Sequence, residues 1–414
     1  MPEPSLPLKL FEAYGVEIEY MIVDRDTLEI RPLADKLLTD TDGLVCNDLV
    51  RGEIAWSNEL ALHLVEFNFT NPEKTLAGKD KWFHKNIITA NYILEKYNAM
   101  LLPSGMHPFL DPTENHVQLW PHELSEVYDT YDKIFNCKNH GWVNVQSSHL
   151  NLPFSTDDEF RKLHAAIRFV LPIIPALAAS SPITGGKITG FMDSRLDHYR
   201  NNQNLVPEIG ADVIPEIIDS PEQYKSLILD TMYAAVSPHD PDGILQDEWL
   251  NSRGAIARFD RSTIEIRLID TQECPIADFA ILQIISHLAK WLIEEKKDVF
   301  NVYHGFNQKS LVSIFHECVQ HGDQTIIENS DYLKILNIDS PAKGKEIWGR
   351  LFDVLFSAQE KNDHESFIRE YNSNGTLSSR ILKAAGENPD AKSITKVYHE
   401  LSRCLAENKV FTAV

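Results

Sequence analysis

Gly15-Val16-Glu17-Ile18-Glu19-Tyr20 sets two carboxylates inside a β-branched and aromatic run. Side chains alternate across a strand with period two, so Glu17 and Glu19 share one face while Val16, Ile18 and Tyr20 share the other. One face is therefore core and the other carries paired acids. Two carboxylates about 4 Å apart repel by roughly 4 kcal/mol at an effective dielectric of about 20. Such a pair calls for a cation, a basic partner or a shared proton.

Three further stretches supply acids, a histidine and an arginine in strand-like settings: 59–66, 143–152 and 263–270. In TIEIRLID, Glu265 and Arg267 share one face and Ile264, Ile266 and Leu268 the other, repeating the opening arrangement with both signs on the polar side. In VNVQSSHLNL, His149 and Asn151 lie on one face beside Ser147, and the imidazole is placed to coordinate a metal through one nitrogen. Glu59 and Glu66 are seven residues apart, on opposite faces of an uninterrupted strand but on one face of a helix. A bulge or a helix-to-strand change between them is expected if both reach one site. Glu17, Glu19, Glu59, Glu66, Glu265 and His149 then form a mainly hard-oxygen ligand set, suited to magnesium or manganese rather than structural zinc. Taken singly, each acid reads as an exposed or ion-paired side chain, His149 as a hydrogen-bonded core residue and Arg267 as a salt-bridge partner of Glu265. The recurrence of the pattern in two strands is what singles out the cluster.

Composition narrows the function classes. The chain has 414 residues and a formal charge of -22, which argues against a phosphate-backbone footprint and hence against nucleic acid. Its five cysteines are scattered, without paired spacing, so neither a disulfide framework nor a zinc site is expected and a reduced, cytoplasmic setting fits. Met1-Pro2-Glu3-Pro4 lacks the basic start and apolar core of an export leader. The most apolar run, 169–179, is short and holds Pro172 and Pro175, so it reads as a buried, kinked helix and no membrane is implied. Phosphate-loop, dinucleotide and nucleophile-elbow motifs are not found. Cys274, in ECP, reads as a small buried thiol.

Along the chain, 11–23 reads as a strand that turns into a second one at 28–32, followed by a short helix at 34–38. Residues 53–69 lead into a strand, 82–102 have helical spacing, and 106–123 form a His-, Pro- and aromatic-rich loop of the kind that lines sites. A strand at 143–152 precedes a capped helix running to about 179. Residues 187–221 suit a substrate-facing loop with a helical turn, and 253–270 a strand. From 276 onward the chain is helical, with amphipathic segments at 276–298, 310–319, 345–357, 364–385 and 393–406. The expectation is α+β, with 1–414 as a single catalytic domain and 276–414 as its mainly helical C-terminal part.

GVEIEYMIVD, NELALHLVEFNFTNP, SSHLNLPF, SPITGGKITGFMDSRLDHYRNNQ and ARFDRSTIEIRLIDTQECPIADFAI occur in this order over roughly the first 280 residues. Together they resemble the second family of glutamate-cysteine ligases, including its carboxylate-amine ligases. The resemblance implies a glutamine-synthetase-like fold, a curved antiparallel sheet forming a funnel with helices outside. It implies an ATP-dependent ligase that joins the side-chain carboxylate of glutamate to an amine, with cysteine as the leading acceptor, and a part in glutathione biosynthesis. By motif position it assigns metal binding to Glu17, Glu19, Glu59, Glu66, His149 and Glu265, and catalysis to Glu265 and Arg267. It places Arg267 at the nucleotide phosphates, with Arg258 and Arg261 as further anion-binding candidates, and makes Arg195 and Tyr199 of DSRLDHY substrate-binding candidates. A homo-oligomer is compatible with this reading. The 105–123 loop and the C-terminal helices depart from the family pattern and are the expected source of a changed amine. Two other classes share the same carboxylates: a metal-dependent phosphohydrolase, in which water attacks, and a non-catalytic binding protein.

Overall fold

A computed structural model describes residues 7–114 and 117–413; positions 1–4, read above for a leader, and two positions of the 106–123 loop lie outside them. The centre is an eight-stranded sheet. Its strands are β1 (Gly15–Asp24), β2 (Asp48–Arg51), β3 (Ile54–Asn58), β4 (Leu64–Phe69), β5 (Ala99–Leu102), β6 (Ser147–Pro153), β7 (Ala255–Arg258) and β8 (Thr263–Asp270). They run in the order β2-β3-β4-β1-β6-β8-β7, with β5 also on β1, and all pairings are antiparallel. Met21 pairs with Leu64 of β4 and with Leu102 of β5. Hence β5 continues the edge of β1 that β6 begins. The α+β class and the antiparallel sheet agree with the sequence reading.

Alternation decides which face meets the helices. Val16, Ile18, Tyr20, Ile264 and Ile266 are all buried, on the side where the helices Asp157–Val170 and Pro275–Glu294 pack against β8 and β6; the expected alternation stops there, because the register with β6 shifts between Ile266 and Ile269. The first of these helices starts at Thr156, whose side chain accepts from the Glu159 N–H. It ends at Val170, and Pro172 and Pro175 restart the chain as short turns. Pro275–Glu294, read from sequence as amphipathic, is instead a core helix. Its length and mean hydropathy of 1.5 would suffice to cross a membrane, yet 72% of its most apolar window is buried inside the protein.

Several element boundaries differ from the sequence reading. The expected strand at 28–32 is reduced to a single bridge between Val23 and Ile30, because Leu28 adopts a left-handed φ of 61°. The 82–102 helix is Asp80–Glu95 followed by β5, since Asn98 at φ 54° turns the chain. Residues 253–270 are two strands, broken at the polar turn that precedes Ser262, at φ 53°. Val143 closes a helical turn, His140–Val143, and the strand begins only at Ser147.

The 106–123 loop is organised by a histidine that faces inward. His107 Nδ1 accepts from the Phe109 and Leu110 N–H groups at 3.0 and 2.8 Å, and Nε2 contacts the Leu28 carbonyl at 2.6 Å. Burial pushes its pKa down to about 4, so the ring is neutral and structural. At the start of this loop, Gly105 is required by a close approach: a Cβ there would lie 2.5 Å from the Asp270 carboxylate. Gly105→Ala is expected to destabilise the chain by about 1–3 kcal/mol through overpacking. An unchanged thermal midpoint would contradict this.

Candidate active site

The polar face of the sheet gathers the acids by register. Because β1 lies between β4 and β6, Glu17 sits opposite Asn68 on one side and His149 on the other, and Glu19 sits opposite Glu66. On the far side of β6, Glu265 faces Asn151. Glu59 follows β3 directly, and the chain reverses before β4, which pairs Asn58 with Val65 and Ser57 with Glu66. This reversal, not a bulge or a helix-to-strand change, accommodates the seven-residue spacing.

Two overlapping groups result. Ligand atoms of Glu17, Glu66 and His149 lie within 4.8 Å of one another, as do those of Glu19, Glu59 and Glu66. Glu66 belongs to both. Glu265 stands outside these groups: its Oε1 accepts from Arg267 Nε at 2.5 Å and its Oε2 from Arg258 Nη1 at 3.5 Å. It still approaches His149 Nδ1 at 3.9 Å. The cluster is oriented by hydrogen bonds from side chains and backbone. His149 Nδ1 meets Glu17 Oε2 at 3.0 Å, Asn151 donates to Glu17 Oε1 at 3.1 Å, and Asn68 donates to Glu66 Oε1 at 3.1 Å. The Ser147 N–H and hydroxyl both donate to Glu19 Oε2, at 2.6 and 3.0 Å.

Charge is unevenly balanced within the cluster. Burial, then the Glu19 charge, raises the Glu59 pKa to about 8. Burial together with Glu17, Glu59 and Glu19 holds Glu66 well above the usual carboxylate range. Burial acts the same way on Glu265, but the charges of Arg267, His149 and Arg258 prevail and bring it to about 2. For His149, burial works against the charged ring, yet its hydrogen bond to Glu17 and the surrounding carboxylates raise its pKa. Two carboxyls therefore keep protons at neutral pH for want of positive charge. An oxygen-rich donor set with one imidazole and surplus negative charge fits a hard divalent cation such as magnesium or manganese. Glu17, Glu19, Glu59, Glu66 and His149 would hold it, with Glu265 beside them.

A cavity of about 820 Å³ lies over this face and includes all of the carboxylates just described. Its arginines are Arg195, Arg258, Arg261 and Arg267. Arg258 and Arg261 stand at the Thr263 end of β8, and the Arg261 side chain is 57% exposed. Arg267 shares the Glu265 carboxylate with Arg258, and Arg195 stands toward Asp270. The Arg195 side chain is only 2% exposed; it is ion-paired to Asp270, and its Nη1 and Nη2 each reach the Arg267 carbonyl at 3.4 Å. Tyr199 is half-buried beside Arg267 and Arg195. Every residue singled out from the sequence thus lines one cavity, although Glu265 is outside the two ligand groups and Arg195 is already engaged.

Some contributors went unread. Tyr128, Tyr131 and Trp142 enter the cavity from the helix Ser125–Phe135 and the turn after it, and Trp249 from the stretch before β7. No acid-bearing strand pattern marks them. Asn68 was legible in principle, two residues beyond Glu66 on the same strand face. The 106–123 loop and the helices beyond 276, expected to alter the amine, contribute none of the cavity-lining residues among those described. Cys274 is fully buried with its pKa raised by burial, as an unreactive thiol should be.

Comparison with known proteins bears on this geometry. The profile of the family described as Glutamate-cysteine ligase family 2 matches residues 13–304. A protein of Archaeoglobus fulgidus, described as uncharacterized, is 33% identical over 96% of this chain and 99% of its own length. A Paraburkholderia xenovorans protein, named provisionally as glutamate-cysteine ligase 2, is 27% identical over 73% of this chain and 75% of its own. Among solved structures, a glutamate-cysteine ligase from Francisella tularensis, in complex with AMP, superimposes with a TM-score of 0.58 at 12% identity, covering 95% of this chain and 88% of that one. A bifunctional glutathione synthetase from Pasteurella multocida gives 0.56 at 14% identity, over 96% of this chain and 52% of that one. These two likenesses show a shared fold.

Proposed function

The chain belongs to Glutamate-cysteine ligase family 2, a group of carboxylate-amine ligases, and from that premise we propose that it joins the side-chain carboxylate of glutamate to an amine with ATP as co-substrate. The observation that carries this reading is the convergence of five carboxylates and His149 on one sheet face with Arg267 at its margin. The amine implied by the family resemblance is cysteine.

A carboxylate is a poor acyl donor and an acyl phosphate an activated one. In the proposed sequence a glutamate side-chain oxygen attacks the γ-phosphorus of ATP, the bond to the bridging oxygen breaks, and ADP leaves with its electron pair. The amine nitrogen then attacks the carbonyl carbon, the carbon–oxygen bond to phosphate breaks, and the proton released from nitrogen goes to the departing phosphate. A divalent cation bound at the acidic cluster would offset negative charge on the polyphosphate. Arg267 supplies a fixed guanidinium where charge develops, and Glu265 fixes its direction through the 2.5 Å contact at Nε. Arg258, which shares the Glu265 carboxylate with Arg267, and Arg261 are the further groups this reading offers to the nucleotide phosphates. No protein nucleophile is needed, in keeping with the buried Cys274.

Glutamate carrying heavy oxygen in its side-chain carboxylate should pass one label to released phosphate. Phosphate oxygen drawn from solvent instead would establish a phosphohydrolase, and bound ATP without turnover across an amine screen would establish a binding protein. Arg267→Lys separates ground-state from transition-state action. It keeps the charge but loses the planar fork, so turnover should fall by about 10²-fold while the KM for ATP changes less. Kinetics with ATP varied would measure both, and unchanged turnover would remove Arg267 from this role.

A further inference from the structure

Glu66 is the carboxylate common to both ligand groups, and its orientation is set from outside them. Register places Asp48 of β2, Ser57 of β3, Glu66 of β4 and Glu19 of β1 along one rung of the sheet, and side chains opposed in this way share a face. On the other face the Trp56 and Phe67 rings, also opposed, stack at 4.9 Å with an interplanar angle of 20° and hold β3 against β4 in this register. Asn68, two residues beyond Glu66, joins the rung. Its Nδ2 donates to Glu66 Oε1 at 3.1 Å and to the Ser57 hydroxyl at 2.7 Å, and that hydroxyl donates to Asp48 Oδ1 at 2.6 Å. All four side chains line the cavity.

The ends of this chain of hydrogen bonds fix its direction. An ionised carboxylate only accepts, and there is one at each end. The Asn68 amide therefore gives one hydrogen to Glu66 and the other to Ser57, and the hydroxyl proton is left for Asp48. Without Ser57 or its acceptor, the amide is free to turn away from Glu66. At an inter-strand spacing of roughly 4.8 Å, the backbones of β2 and β4 lie about 10 Å apart, so Asp48 reaches Glu66 through the chain. The partners also differ from those of Glu265, which is held by Arg267 and Arg258 and stands outside the ligand groups. An amide orients Glu66 without neutralising it. We infer that Asn68, Ser57 and Asp48 are positioning residues: they fix Glu66 by its Oε1 and leave Oε2 and the full negative charge to a divalent cation. This rests on the cation-binding part of the function proposed above and assigns to it three residues beyond the ligands.

The test uses the full chain with Mn2+ alone and follows the free ion by electron paramagnetic resonance, so it does not depend on turnover. Ser57→Ala and Asp48→Ala should each weaken Mn2+ binding about tenfold, the order by which losing a hydrogen bond behind a metal ligand lowers affinity. The double variant should bind no more weakly than either single one, because the chain is already broken. Asp48→Asn keeps an acceptor oxygen and removes the charge, and since Asp48 is exposed on an edge strand, it should stay within about threefold of the parent. Urea midpoints in chelator report the fold of each variant. Unchanged Mn2+ affinity in Ser57→Ala would overturn the inference and leave the cation site standing, and a lowered midpoint beside it would make the chain a fastening of the sheet only. Asp48→Asn as weak as Asp48→Ala would assign the effect to charge and overturn it. Additive losses in the double variant would mean two separate contributions and also overturn it. No Mn2+ binding by the parent would defeat the cation site itself, and the inference with it.

Discussion

Glu265→Gln is expected to lower turnover by about 10²–10³-fold, the usual consequence of losing one oriented electrostatic group at a reacting centre. The carboxylate acts on both sides of the site: it holds Arg267 at 2.5 Å and Arg258 at 3.5 Å, and stands 3.9 Å from His149. An amide keeps the shape but removes the charge, so Arg267 loses its counterion and its fixed direction together. Because the Glu265 side chain is 2% exposed, stability should suffer as well, by roughly 3–5 kcal/mol if no water or anion replaces the partner. Glu17→Gln provides the control. Its partners are the imidazole of His149 and the amide of Asn151; a glutamine offers oxygen to only one of them, but at 16% exposure against 2% for Glu265 the other is nearer to water, so turnover should fall about as far with less loss of stability. Steady-state kinetics and urea midpoints for both variants decide the matter. A turnover within about threefold of the parent in Glu17→Gln would mean that the acidic face is not where the chemistry takes place.

Removing divalent metal is expected to abolish turnover and to make thermal stability fall as pH rises. Glu59, at about 8, and Glu66, well above its usual range, both have pKa values raised in the folded chain. An acid with a raised folded pKa contributes stability that is fully present below its unfolded value of about 4.3 and lost as pH rises through the folded value. The metal-free protein should therefore melt at progressively lower temperature between about pH 5 and 9. The raised pKa of His149 acts in the same direction, since its charged form pairs with the carboxylates. Magnesium or manganese binds the deprotonated oxygens, so the rise in melting temperature it produces should be larger at pH 8 than at pH 6. Calorimetry in chelator and in metal, at several pH values, gives the comparison. Full turnover in chelator, or a metal effect independent of pH, would exclude this donor set as a metal site.

The segments that depart from the family pattern, 105–123 and the C-terminal helices, lie away from the cavity, and His107 accounts for the first as a folding device.

The sequence by itself determined the alternation of core and acid in β1 and β8, the identity of the hard-oxygen donors and the α+β class. Alternation is a property of the local backbone: a residue two places along a regular strand returns to the same face, as holds in β8 up to the register shift after Ile266. The presence of Glu17 and Glu19 on one side, and of Glu265 and Arg267 on one side, followed from that alone. Only the tertiary structure decided how strands meet. The turn between β3 and β4 brought Glu59 to Glu66, and the register of β1 with β4 and β6 set Glu17 against His149 and Glu19 against Glu66. It also tied Arg195 to Asp270, and gathered three aromatic residues from separate segments beside Arg267. These are contacts between residues far apart in the chain. They arise from register, chain reversal and the packing of side chains from different elements, which no short window of sequence encodes.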